Sequence, residues 1–238
     1  MERRVRLTCL LFILLWLLPP DAAAQWRAGE VLNAAEVKAA DRSGGFVATE
    51  IDDATFARMQ RGGSFPVGCT VSRGDLRYLR LLHYNFDGRV QRGELVCNKS
   101  VAADLLDIFR TLYENKYQIE RMVLIDEYGA DDETSMADNN SSAFCFRRIN
   151  GSARLSKHAR GLAVDINPVQ NPCVSYNSKG GVRRVEPGTA EARKNISRSA
   201  ATAHQIDKND LCYRLFTSHG FRWGGAWRTK KDYQHFEK

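Results

Sequence analysis

Two stretches, Ser156-Lys-His158-Ala-Arg-Gly161-Leu-Ala-Val-Asp165-Ile166 and Asp232-Tyr-Gln-His235-Phe236-Glu237, constrain this chain most. Together they supply two imidazoles, one ligand-capable carboxylate and a spare carboxylate, the inventory of a catalytic zinc centre with an attached general base. Donor atoms on one metal lie within a few ångströms of each other, and His158 and Asp165 are seven positions apart. That offset spans roughly 10 Å as a helix. As a strand it spans roughly 23 Å and turns the two side chains to opposite faces. Neither element joins them, so the chain must double back. Ala159-Arg160-Gly161 offers the turn, with Gly161 able to take a positive φ. Beyond it, Leu162, Val164 and Ile166 alternate with Ala163 and Asp165. This predicts a strand with one face on a core and Asp165 on the other, ended by Pro168.

Ligand type alone leaves the metal open, because two His and one carboxylate also describe a non-haem iron(II) site. The remaining histidines read as ordinary. His83 lies in the strand-like run Tyr78 to Tyr84 and His219 at a helix end before Gly220; neither has a carboxylate or second His at ligand spacing, and His204 is read the same way.

The pattern Ser-x-His-x-x-Gly-x-Ala-x-Asp followed by Asp/Glu-x-x-His resembles the zinc peptidases of the VanY-type D-alanyl-D-alanine carboxypeptidase family. Relatives of that family include L-alanyl-D-glutamate endopeptidases and hedgehog-like domains. The resemblance extends to Phe86-Asp-Gly88, Gly93 to Asn98, Asp138 to Arg147, Asn167-Pro168, Asn171-Pro172 and Trp223-Gly-Gly-Ala-Trp227, so it runs from about Met59 to the last residue. It implies one Zn²⁺ per chain, held by His158, Asp165 and His235. Asp232 would be the base that deprotonates the metal-bound water and later protonates the leaving amine. Arg147 lies where the family places a substrate-contacting arginine, which suits a peptide carboxylate or a tetrahedral oxyanion; the adjacent Arg148 leaves the register open. Ser156 would orient the ligand loop or the substrate, and Trp223 and Trp227 would line a groove or fill the core. Cys145 stands where the family commonly has Asn, and Ala226 where it has an acidic residue. Substrate preference is therefore less fixed than mechanism.

Met1-Glu-Arg-Arg-Val-Arg6 precedes an apolar run from Leu7 to Leu18, and Ala22-Ala-Ala24 follows. A run this short with a small-residue site after it predicts a secretory signal over residues 1–24 rather than a membrane span. Cys9 is placed too early for lipid attachment. No second hydrophobic segment follows, so a secreted or periplasmic protein without stable membrane insertion is expected. Cleavage after Ala24 removes Arg3, Arg4 and Arg6 with Glu2 and Asp21, a net of +1, so the formal charge falls from +7 to +6. A basic surface fits anionic wall polymers. No nucleic-acid motif is present, and no nucleic-acid partner is expected. The five cysteines beyond the signal allow up to two disulfides and one free thiol in an oxidising compartment, and no Cys-x-x-Cys pair suggests a structural zinc or redox site.

Residues 25–58 read as a polar, helix-prone extension that packs on the domain or acts as a spacer, and 59–238 as the peptidase domain. Leu76 to Asn98 predicts a hairpin around Phe86-Asp-Gly88. Ser100 is a candidate cap for a helix with Val101, Leu105, Ile108, Phe109 and Leu112 at helical spacing. Gln118 to Ile125 reads as a strand, Asp126 to Asn140 as an acidic loop, Pro172 to about Ser199 as a flap, and Leu211 to His219 as a helix stopped by Gly220. Strands and helices do not alternate regularly, which predicts an α+β fold, a small antiparallel sheet with flanking helices.

Three functional readings follow. The leading one is an exported zinc peptidase acting on peptidoglycan stem peptides, trimming a terminal D-Ala or cutting the L-Ala-D-Glu bond. The alternative is a non-catalytic, zinc-containing wall-binding module, against which intact Asp232 speaks. A non-haem iron oxygenase is disfavoured by export and by the absence of a short His-x-Asp spacing.

Overall fold

Asn33 starts α1 (Ala34–Ser43) with a capping box, accepting from the Ala35 and Glu36 amides while Glu36 reaches back to the Asn33 amide. The computed structural model describes residues 26–149, 152–198 and 202–238, so the expected signal at 1–24 lies outside it. After β1 (Val47–Thr49), Asp52 caps α2 (Asp53–Gly62). β1 pairs antiparallel with β2 (Leu76–Tyr84), which forms the expected hairpin with β3 (Val90–Asn98). α3 (Ala102–Glu114) lays Leu105, Ile108, Phe109 and Leu112 across this sheet, each at most 1 % exposed. Burial at that level contributes on the order of 1.5–3 kcal/mol per large apolar side chain. The cap differs from expectation: Ser100 donates its hydroxyl to Asn98 at 2.8 Å, and Val101 begins the helix without a side-chain bond.

The segment before Met59 packs on this frame. Leu32, Ala40 and Phe46 enter the same buried cluster, and the Trp26 indole donates to the Gly93 carbonyl at 3.0 Å. Arg58 forms an ion pair with Glu94, which is 1 % exposed and also accepts from the Tyr78 hydroxyl at 2.7 Å. A buried carboxylate needs such partners, so α2 is tied to the hairpin by charge as well as by packing.

Gln118 to Ile125 is not a strand. Its backbone meets that of the hairpin only through isolated bonds, Ile119 N–H to the Tyr84 carbonyl and Glu94 N–H to the Met122 carbonyl. Two asparagine side chains take up other groups: Asn167 accepts from the Glu120 amide and donates to the Gln118 carbonyl, both at 3.0 Å, and Asn140 bonds the Val123 amide and carbonyl at 2.9 and 3.0 Å. The stretch expected to be an acidic loop contains a 3₁₀ turn (Ile125–Tyr128) and a short helix, α4 (Asp132–Ala137), capped by Asp131.

β4 (Ala163–Asp165) matches the predicted metal strand. Within the expected flap, β5 (Cys173–Tyr176) and β6 (Val182–Glu186) pair antiparallel and α5 (Ala190–Lys194) follows, so this stretch is ordered secondary structure. α6 (Leu211–Ser218) then leads to β7 (Arg222–Trp223), β8 (Lys230–Asp232) and β9 (His235–Glu237). The fold is α+β, with six α-helices among the described residues. In place of one small sheet there are three antiparallel three-stranded sheets, ordered β1-β2-β3, β4-β9-β7 and β6-β5-β8.

All five described cysteines are free thiols, so the disulfides allowed by composition are not formed. Their surroundings differ: Cys97 and Cys212 lie in the main core, Cys145 beside the carboxylate of Asp132, and Cys173 opposite Asp232 in the β5–β8 pairing. Among the described residues, no helix is long and apolar enough to cross a membrane.

Candidate metal centre and active-site cleft

The expected turn between His158 and Asp165 is a 3₁₀ turn (His158–Arg160) closed by Gly161 at φ 67°. A β-carbon at Gly161 would stand 2.5 Å from the Asn98 amide nitrogen, so close approach of β3 as well as the positive φ demands glycine. β4 pairs with β9 in a register that sets Asp165 opposite His235. Doubling back thus brings three ligand-capable side chains from distant positions to one point, all of them buried.

At that point His158 Nε2 lies 3.1 Å from His235 Nδ1 and 3.1 Å from Asp165 Oδ2, and His235 Nδ1 lies 2.9 Å from Asp165 Oδ1. Four tetrahedral ligands at ~2.0–2.1 Å from zinc stand about 3.3 Å apart, close to these separations. The outer nitrogens fix the tautomers. His158 Nδ1–H donates to the Ala143 carbonyl at 2.6 Å, and His235 Nε2–H faces Glu237 Oε2 at 3.4 Å. Each ring therefore turns its lone pair inward, as metal-ligating imidazoles do. Two inward lone pairs beside a carboxylate require a positive charge between them. Burial works against the ionised Asp165, but His158 and His235 outweigh it and hold its carboxyl well below the usual range. Burial likewise opposes protonation of His235, yet its bonds to Asp165 and Glu237 lift it to about 10.

A cleft of about 800 Å³ opens over this cluster. Asp232 lines it from the end of β8, nearly buried, with Oδ2 3.1 Å from Lys230 Nζ. Burial disfavours the Lys230 charge, but Asp232 more than restores it and holds the Lys230 ammonium above its usual range. Arg147 also lines the cleft and pairs with Asp132 of α4, a residue concealed in the stretch read as loop. Burial raises the Asp132 carboxyl while Arg147 pulls it down. Arg148 turns away to the Ala153 carbonyl and does not line this cleft.

Ser156 accepts from the His158 amide at 3.2 Å, so its hydroxyl orients the ligand turn at the cleft wall. Trp227 lines the cleft, its ring centroid 5.3 Å from that of His235 and 5.0 Å from Lys230 Nζ. Trp223 does not line it. This ring lies in the core, donates to the Tyr233 carbonyl at 2.8 Å and packs against Gly225. Sequence reasoning missed the Ala143 carbonyl, Asp132, and the role of Glu237. Only Glu237 carried a signal, being two residues beyond His235 on the same strand face.

A family model described as D-alanyl-D-alanine carboxypeptidase matches residues 150–238. That span is less than half of the chain but contains His158, Asp165, Asp232 and His235. The match supports the likeness to VanY-type D-alanyl-D-alanine carboxypeptidases to which the sequence motifs pointed. No curated protein and no solved structure matches the chain.

Proposed function

We propose that this chain is an exported zinc metallopeptidase that hydrolyses peptidoglycan stem peptides, as a D-Ala-D-Ala carboxypeptidase or an L-Ala-D-Glu endopeptidase. Residues 1–24 would be the export signal, 25–58 a segment docked on the hairpin, and 59–238 the peptidase domain. The observation that carries the reading is the inward convergence of His158 Nε2, His235 Nδ1 and Asp165 on one buried point beneath a cleft lined by Asp232. Zn²⁺ bound by those three residues would polarise the scissile carbonyl and lower the pKa of a water towards ~7.

The chain's own groups supply the rest. Asp232, held beside Lys230, accepts the proton of the attacking water and returns it to the departing amine. Arg147, oriented by Asp132, offers a guanidinium to the substrate carboxylate or to the developing oxyanion. Ala143 and Glu237 keep both imidazoles in the ligating tautomer.

Mass spectrometry of defined muropeptides incubated with the zinc-loaded protein tests this, with Asp232→Ala alongside. Loss of one terminal alanine identifies a carboxypeptidase, and release of the peptide after L-Ala an endopeptidase. Substrate left intact by the zinc-loaded wild type would overturn the reading in favour of a binding module.

A further inference from the structure

The cleft carries more positive charge than its own carboxylates neutralise. Five carboxylates line it and each is engaged: Asp165 with the two imidazoles, Asp132 with Arg147, Asp232 with Lys230 at 3.1 Å, Glu186 with Arg184 at 2.9 Å, and Glu237 with Arg222 at 2.6 Å. Arg154, Arg160 and Arg183 line the same cleft, are exposed, and form no ion pair with any described residue. Arg154 precedes the ligand turn and Arg160 ends it, on the chain segment that carries Ser156 and His158. Arg183 comes from β6, on the hairpin whose first strand pairs with the strand bearing Asp232. Three unpaired guanidiniums thus rim a cleft whose carboxylates are all engaged.

From this we infer that Arg154, Arg160 and Arg183 are specificity-determining residues that select peptides carrying carboxylates away from the scissile bond. The inference rests on the peptidase reading for its substrate and deepens it from peptide to acidic peptide. Guanidinium forks match carboxylates geometrically, and their charge draws an anionic ligand into the cleft. Such attraction between exposed charges weakens as salt rises.

Equilibrium binding measured by fluorescence anisotropy separates this inference from the peptidase reading, because it needs no turnover. The probe is a labelled peptide with two side-chain carboxylates, compared with the same peptide amidated at both, on zinc-loaded protein carrying Asp232→Asn. The acidic peptide is expected to bind about tenfold more tightly at low salt, as two modest exposed pairs would give, with the advantage shrinking at 0.5 M salt. Replacing Arg154, Arg160 and Arg183 together by Gln should bring the ratio of the two affinities close to one. Equal binding of both peptides by the Asp232→Asn protein, or a ratio that the triple replacement leaves intact, would overturn the inference. Failure of the wild type to cleave either peptide would overturn the peptidase reading and leave the binding ratio to decide the rim on its own.

Discussion

Gly224 lies directly against Asp232: a β-carbon at Gly224 would stand 2.7 Å from the Asp232 carbonyl oxygen, 2.8 Å from its β-carbon and 3.2 Å from the β-carbon of His235. Backbone atoms and β-carbons cannot swing aside as a side-chain tip can. Gly224→Ala should therefore displace Asp232 and His235, the proposed base and a proposed metal ligand, together. The expected cost is ~1–3 kcal/mol of stability from overpacking and roughly 10²-fold in turnover, the scale on which an ångström of misplacement acts. Thermal melting and steady-state kinetics on muropeptides check both, and a fully active Gly224→Ala protein would show that this contact does not position the site.

Arg147 and Arg148 are neighbours in sequence, but Arg147 faces the cleft beside Asp132 and Arg148 bonds the Ala153 carbonyl. Arg147→Lys keeps the charge and loses the fork, so kcat/KM should fall by about 10²-fold. Arg148→Lys should change it less than twofold. Equal losses from the two variants would remove Arg147 from its assigned role.

Metal removal has a sign fixed by the donor set. On the proposed reading zinc binds the folded cluster and not the unfolded chain, so saturation at 100 times the dissociation constant should add about 2.7 kcal/mol. For a chain of this size that corresponds to a rise in Tm on the order of 5–10 °C. Calorimetry with and without chelator measures it, and an unchanged Tm would contradict zinc binding at the folded site.

The parts of the site written into contiguous sequence were legible before the structure. His158, Gly161 and Asp165 announce a turn and a strand through seven-residue spacing and alternation, and both are present. The hairpin and α3 were equally legible, because their apolar periods are long and local. Gln118 to Ile125 was not, although it is apolar enough for a strand. Its backbone partners are isolated groups of the hairpin and of Ser141 together with the side chains of Asn140 and Asn167, up to 49 residues away, and no local pattern reports an amide side chain acting as a strand neighbour. α4 escaped for a related reason: six residues are too few to show a 3.6-residue period, and with it went Asp132. Trp223 and Trp227 look alike in sequence, yet the bend at Gly224 and Gly225 sends one into the core and the other into the cleft.

His83 sets a pH dependence apart from the metal centre. Burial, partly offset by the Ile119 carbonyl at 2.7 Å, lowers it to about 4 against an ordinary 6.5. Below pH 6.5 the unfolded chain takes up a proton that the folded chain refuses, so this contribution is intact above 6.5 and lost as pH falls towards 4. The maximum effect is about 3 kcal/mol. Urea unfolding between pH 7 and 4 should show a shallower loss for His83→Gln than for the wild type; parallel slopes would rule His83 out as the source.

The most direct test is the zinc content of the purified protein after dialysis, by elemental mass spectrometry, for the wild type, Asp165→Asn and Asp232→Asn. The arrangement of His158, Asp165 and His235 with Asp232 outside the ligand set gives one zinc per chain in the wild type and in Asp232→Asn, with little or none in Asp165→Asn. Zinc lost from Asp232→Asn, or kept in full by Asp165→Asn, would contradict it.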